Sequence, residues 1–311
     1  MIIKAPIDLE LTQNSGQTSQ PPWKLDNNIY SDVVVADNKA VLFQVKQKEN
    51  NLDFNFIGDI SNKEATKKIK TIFDLDFNLN KFYKYLNNQP ELADMTNFCR
   101  DLRLFLAKDK FECVISSVCS ANNSIVRWTK SIDDIKKSWG NKYTYSEKDY
   151  FTFPDVSDFK NIYCDDVEEF ECCSNLNNPG ECINNLKSCG VGYRAPYMKK
   201  ASEIFTLEMD LDDISKMYYD EAFDTMLKVP GVGPKVADCI LLYGFNFRQA
   251  FPTDVWIKRI VSYLYFDGKD INVSKIREFG MEEFGDYAGY VQLYLFHYAR
   301  MSGLMKKLKG M

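Results

Sequence analysis

Apolar positions change their period along this chain near residue 60. Before that point, IDLELTQ (7–13), SDVVVAD (31–37), KAVLFQVKQ (39–47) and LDFNFIG (52–58) are rich in β-branched and aromatic residues, partly alternating, with Asn, Asp and Gly between them. The pattern predicts strands joined by tight turns, an antiparallel meander. From Asn62 onward the spacing becomes helical, through NKEATKKIKTIF, LNKFYKYL, ELADMTNFCRDLRLFL and KFECVISSVCSANNSIVRWTKSIDDIKKSW. The expected fold class is therefore α+β. An N-terminal antiparallel β-sheet domain with flanking helices is predicted over residues 1–107, a helical subdomain over 108–205 and a second helical subdomain over 206–311. Within the middle part, residues 141–190 are polar, acidic and loop-rich, and read as an insertion.

Composition narrows the class. With 45% hydrophobic and 14% aromatic residues in 311, the chain has ample material for a core, which excludes disorder. No run of 18 apolar residues occurs, and MIIKAPIDLELTQ turns charged too soon for a signal peptide. Nine cysteines, an odd number without a secretory signal, point to reduced thiols in a cytoplasm. Five of them, Cys164, Cys172, Cys173, Cys182 and Cys189, crowd the 141–190 region, but no Cys-x-x-Cys pair is present and no metal is assigned. No cysteine follows Cys239, so a carboxy-terminal four-cysteine iron–sulfur loop is impossible. The single histidine, His297, excludes any site that needs two. A formal charge of −5 argues against a partner held by bulk electrostatics, so any nucleic-acid contact must be local.

Chemistry begins in the stretch from Tyr219 to Tyr243. An amphipathic helix carrying Phe223, Met226 and Leu227 runs into Val229-Pro230-Gly231-Val232-Gly233, and Pro234 then sits at a natural first helical position. This is a helix, a hairpin and a helix. Its glycines permit positive φ and close approach, so its amides can face a phosphate without reading base sequence. A plain glycine-closed connection between core helices fits the same residues. Lys235 stands in the first turn, where the macrodipole disfavours a cation. An amine held there and partly desolvated is expected to drop from ~10.4 toward roughly 7–8, which supplies a nucleophile. An exposed lysine or a simple phosphate contact is the alternative. In FRQAFPTDVWIKRIV, Asp254 is a helix N-cap that is also placed to stabilise positive charge developing on a sugar, and Lys258 and Arg259 after it are candidates for a local basic face.

The stretch VPGVGPKVADC followed by FPTDV resembles the helix-hairpin-helix superfamily of base-excision DNA glycosylases, and more closely the 8-oxoguanine DNA glycosylase/lyase family. The resemblance covers nearly the whole chain, through Asn14-Ser15-Gly16-Gln17, the run from Cys119 to Arg127, Gly190-Val191-Gly192-Tyr193-Arg194 and the run from Tyr287 to Gln292. It implies that Lys235 attacks the anomeric carbon and that Asp254 supports it electrostatically. Gly16 then offers a carbonyl to the N7 hydrogen that distinguishes 8-oxoguanine from guanine, Gln292 reads the Watson–Crick edge, and Phe296 and Cys239 sandwich the base. Asn122, Arg127 and Arg194 match residues that contact the cytosine left behind, Tyr193 matches the wedge, and Gly231, Val232 and Gly233 would hold the DNA phosphate. The family's implied partner is double-stranded DNA with 8-oxoguanine opposite cytosine. No cofactor and no iron–sulfur cluster are expected, and the protein should be a cytoplasmic, nucleoid-associated monomer in a prokaryotic cell. Thr18-Ser19-Gln20-Pro21-Pro22-Trp23 departs from the family pattern after Gly16-Gln17, and Trp256 stands where many relatives have a phosphate-binding histidine. The alternatives are another glycosylase of the superfamily, acting on alkylated or oxidised bases, and a noncatalytic helix-hairpin-helix DNA-binding protein.

Overall fold

A computed structural model of the chain describes residues 1–36, 39–164 and 184–304. In chain order these form β1 (Ile2–Ile3), α1 (Leu9–Asn14), β2 (Lys24–Asp26), β3 (Ile29–Ala36), β4 (Lys39–Lys48), β5 (Asn51–Ile57), α2 (Asn62–Ile72), α3 (Leu79–Asn87), α4 (Met95–Phe98), α5 (Lys110–Ser120) and α6 (Ile125–Trp139). There follow β6 (Lys142–Tyr145), β7 (Lys148–Phe151), α7 (Val156–Phe159), α8 (Ala195–Leu207), α9 (Leu211–Ile214), α10 (Tyr219–Leu227), α11 (Pro234–Phe245), α12 (Val255–Tyr265), α13 (Val273–Phe284) and α14 (Ala288–Met301). The α+β expectation holds.

The predicted meander is present as a five-stranded antiparallel sheet in the order β1-β5-β4-β3-β2. Alternation decides its faces. Val34, Ala36, Val41, Phe43, Val45 and Phe54 point to one side, where Ile69, Ile72 and Phe73 at the end of α2 cover them. Val33 and Leu42 point to the other, against Tyr150 of the β6–β7 hairpin. That hairpin explains why SDVVVAD reads as a continuous apolar run, since both faces of β3 are covered there. It also corrects the 141–190 expectation: the start of this region is an ordered hairpin docked on the sheet. Cys172, Cys173 and Cys182 lie outside the described residues.

IDLELTQ is not a strand. Asp8 accepts from the Leu11 amide as an N-cap, and Leu9, Thr12 and Gln13 are the buried positions of the short helix α1. Their i, i+3, i+4 spacing competes with the period-2 reading over so short a segment, and the cap settles it.

A second core joins α3 and α4 to the helices from α5 to α14, so the segment 79–102 packs with the helical half. Asp74 knits the two halves together. Its carboxylate accepts from Tyr290 Oη at 2.8 Å and from Arg248 Nη2 at 2.6 Å. Arg103, buried, donates to the carbonyls of Pro6 and Asp74 at 2.6 and 2.7 Å. Among the described residues no helix is long and apolar enough to cross a membrane.

Candidate active site

Helices α10 and α11 meet at the hairpin read from sequence. Gly231 takes φ +83°, and a Cβ there would lie 2.7 Å from the Tyr197 ring, so both conformation and space demand glycine. Val232 is a buried anchor, and its amide is occupied within the turn by the Val229 carbonyl at 3.0 Å. The amides of Gly231 and Gly233 donate to no group among the described residues and stand at an exposed corner.

Pro234 starts α11 and puts Lys235 in its first turn, with Cys239 one turn later on the same face. The Lys235 amine faces the Cys239 sulfur. Across the cleft, Asp254 caps α12, its Oδ1 accepting from the amides of Trp256 and Ile257 at 2.9 and 2.8 Å. Burial draws the Lys235 amine down, but the Cys239 sulfur and the Asp254 carboxylate outweigh it, and its pKa stands above the ordinary lysine value. The depression toward neutrality expected from the helix terminus is therefore not found, because the amine faces two acidic groups as well as the dipole. Burial pushes the Cys239 thiol up, with Lys235 opposing.

A small cavity of about 50 Å³ opens beside the amine, lined by Ser15, Gly16, Gln17, Thr18, Lys235, Cys239, Tyr243, Asp254, Gln292, Leu293 and Phe296. All six residues named from sequence for chemistry and base recognition thus share one wall system. Gln292 is buried with its Oε1 unpartnered among the described residues. A buried acceptor left open is costly unless something arrives to fill it. Gly16 adopts φ +86°, and a Cβ there would lie 2.5 Å from Ile125 Cδ1.

The segment after Gly16 explains its own departure from pattern. Gln17 Nε2 donates to the Arg103 carbonyl at 3.0 Å, and Gln20 Nε2 to the Leu106 carbonyl at 2.8 Å. Gln17 Oε1 accepts from the Phe105 amide at 2.8 Å. Side chains here replace a strand partner for residues 103–106, whose buried backbone must be satisfied. Thr18 Oγ1 meets Ser117 Oγ at 3.1 Å at the pocket wall. Thr18, Tyr243, Ser15 and Leu293 were missed from sequence; the polar run Gln17 to Gln20 was the available signal, because such a run survives burial only when each group is paired.

A larger groove runs from this cavity along Ser120, Ala121, Asn122, Asn123, Lys235, Thr253, Asp254, Val255 and Trp256. Asn122 is exposed in it with φ +50°, and Arg127 is exposed on α6. Tyr193 projects at 59% exposure, stacked on Arg194 with 4.4 Å between guanidinium carbon and ring centroid. Arg194 itself is buried and directed at carbonyls of the chain, not into the groove. Arg259 lies 5.2 Å over the Trp256 ring, at the start of α12. Among the described residues no group of three or more His, Cys, Asp or Glu is placed to hold a metal ion.

Residues 1–114 match the family model of the 8-oxoguanine DNA glycosylase N-terminal domain, and residues 115–285 that of the HhH-GPD superfamily base excision DNA repair proteins. A probable N-glycosylase/DNA lyase from Methanothermobacter thermautotrophicus is 44% identical over 97% of this chain and 96% of its own length. The chain belongs to the 8-oxoguanine DNA glycosylase/lyase family. Among solved structures, MBOgg1 in complex with a low affinity DNA ligand superposes with a TM-score of 0.79 at 30% identity, covering 97% of this chain and 96% of that one. The Clostridium acetobutylicum 8-oxoguanine glycosylase/lyase, in complex with double-stranded DNA containing cytosine opposite 8-oxoG, gives 0.78 at 28%, over 97% and 98%.

Proposed function

We propose that this chain excises 8-oxoguanine lying opposite cytosine in duplex DNA and then cuts the strand at the abasic site. The observation that carries the reading is the convergence on one cavity of Lys235, Asp254, Gly16, Cys239, Gln292 and Phe296, contributed by four separate segments. The flipped base enters between Cys239 and Phe296, with Gly16 accepting from N7–H and Gln292 facing the Watson–Crick edge. Gly231 and Gly233 amides hold a backbone phosphate, with Val232 fixing the turn beneath them. Asn122 and Arg127 face the orphaned cytosine, and Tyr193 fills the gap in the stack.

Lys235 must first lose a proton, with the Asp254 carboxylate beside it as an acceptor. Its lone pair then forms a bond to C1′ while the C1′–N9 bond breaks and its electrons leave on the base, which takes up a proton. Asp254 offsets the positive charge that builds on the sugar. Ring opening gives an iminium ion, and loss of a C2′ proton pushes electrons toward it as the 3′ phosphate departs. The reading includes no cofactor, and it takes the protein as a monomer in the cytoplasm.

Borohydride trapping tests it. Wild type should be captured covalently on an 8-oxoguanine·cytosine duplex, and Lys235→Gln should lose both capture and base release while retaining DNA binding. Capture of no damaged duplex would make this a noncatalytic DNA-binding protein, and preferential release of alkylated bases would overturn the substrate.

A further inference from the structure

We propose that Arg300 is a positioning residue for lesion recognition, fixing the Ser15–Gly16 peptide and the Phe296 ring with one guanidinium. The inference rests on the base-pocket reading above. Arg300 lies one helical turn after Phe296 on α14, so the two side chains share a face. The residue is exposed along much of its length, yet its head turns inward. Nη1 donates to the Ser15 carbonyl at 3.1 Å, and the guanidinium carbon lies 5.3 Å from the centroid of the Phe296 ring. The same nitrogen would stand 3.3 Å from a Cβ on Gly16. Among the described residues no carboxylate forms an ion pair with Arg300; a carbonyl and an aromatic face are what hold its head.

Both contacts bear on parts of the cavity that define the base slot. The Ser15 carbonyl and the Gly16 amide belong to one rigid peptide plane, so a donor on that carbonyl sets how the plane is tilted. Gly16 follows from it with φ +86° and no side chain of its own to resist rotation; Ile125 closes on its other side. A charge-assisted hydrogen bond is the stronger kind, and a cation over an aromatic face adds a second restraint. Arg300 therefore holds the peptide plane that leads into Gly16 together with the Phe296 ring, one at the N7 edge and one on a face of the slot. Neither Lys235 nor Asp254 touches it. Sugar chemistry after the base has gone should not depend on Arg300.

That asymmetry is the test, made with the full chain on two substrates: a duplex with 8-oxoguanine opposite cytosine and the same duplex with a preformed abasic site. Under single-turnover conditions Arg300→Ala should slow 8-oxoguanine release about ten- to a hundredfold, as expected for loss of one part-buried, charge-assisted contact. Cleavage of the abasic duplex, and the enzyme concentration that half-saturates it, should stay within about twofold of wild type. Arg300→Lys retains charge but not the planar fork and should restore only part of the rate. A parallel loss on both substrates would mean general damage to the fold, and no loss on either would mean a merely solvated arginine; each overturns the assignment. Wild type that cleaves the abasic duplex but ignores 8-oxoguanine would instead overturn the substrate reading, before any variant is compared.

Discussion

Arg194 donates from Nε and Nη2 to the carbonyl of Ala121, at 2.8 and 2.5 Å. Nη2 also reaches the Asn122 carbonyl at 3.0 Å and Nη1 the Val191 carbonyl at 3.3 Å. One guanidinium thereby ties the loop that presents Asn122 to the turn that presents Tyr193, two segments that are far apart in sequence.

With Asn122 and Tyr193 in their proposed roles, the Arg194 tie should make opposite-base preference depend on a residue that faces away from the groove. Arg194→Ala should leave carbonyls of residues 121 and 122 without their donor, costing ~1–3 kcal/mol of stability. The ratio of 8-oxoguanine release opposite cytosine to that opposite adenine should fall, because Asn122 and Tyr193 lose their common anchor. Paired thermal melts and excision assays read both effects, and an unchanged ratio would show that the loop holds itself.

Asp254 caps α12, and substitution can separate this cap from the electrostatic role proposed for its carboxylate. Asparagine caps helices about as well as aspartate, so Asp254→Asn should keep the melting temperature nearly constant while slowing base release, since only the charge is gone. Asp254→Ala removes the cap as well and should cost a further ~0.5–2 kcal/mol in stability. If Asp254→Asn released base at the wild-type rate, the carboxylate would be a cap and nothing more.

With Lys235 as the proposed nucleophile, base release should accelerate with rising pH, because only a neutral amine can attack and its pKa is held above the ordinary lysine value. Burial lowers that pKa, and the Cys239 sulfur is the largest group opposing it. Cys239→Ala removes the opposition, so the pH–rate profile should move toward lower pH. A profile that keeps its position would exclude the sulfur as the partner of the amine.

The buried charges between sheet and helices should govern acid stability. Asp32 on β3 pairs with Lys108 and, at 3.3 Å, with Lys136 of α6. Burial alone would raise its pKa, but the two ammonium groups reverse the sign and hold it below the usual aspartate value. A carboxyl with a depressed folded pKa stabilises above its unfolded value of ~3.9, and that stability is lost as pH falls through the lower folded one. Asp32→Asn should therefore cost ~3–5 kcal/mol near neutrality, with the gap to wild type closing below about pH 4. Urea unfolding at a series of pH values measures it, and a gap independent of pH would mean that packing, not charge, is lost.

What the residues determined by themselves is local. The period-2 runs set three strands, the helical period set the rest, and Pro-Gly-Val-Gly-Pro with Lys235 marked the hairpin, because turn conformation, first-turn proline and the glycine requirement act over a few positions. Family resemblance then named the six pocket residues. Contacts between distant segments needed the tertiary structure. IDLELTQ is too short for periodicity to separate helix from strand, and the Asp8 cap chose helix. The sign of the Lys235 shift turned on Cys239 and Asp254 coming together, a balance of burial against charge that no spacing reveals. The stretch from Thr18 departs from the family pattern without a reason visible in sequence, and only the fold lays residues 103–106 beside Gln17 and Gln20 to be hydrogen-bonded. The resemblance assigned Arg194 to the orphaned cytosine and offered nothing on Arg300, and only the folded chain supplies the carbonyls of Ala121 and Ser15 toward which they turn.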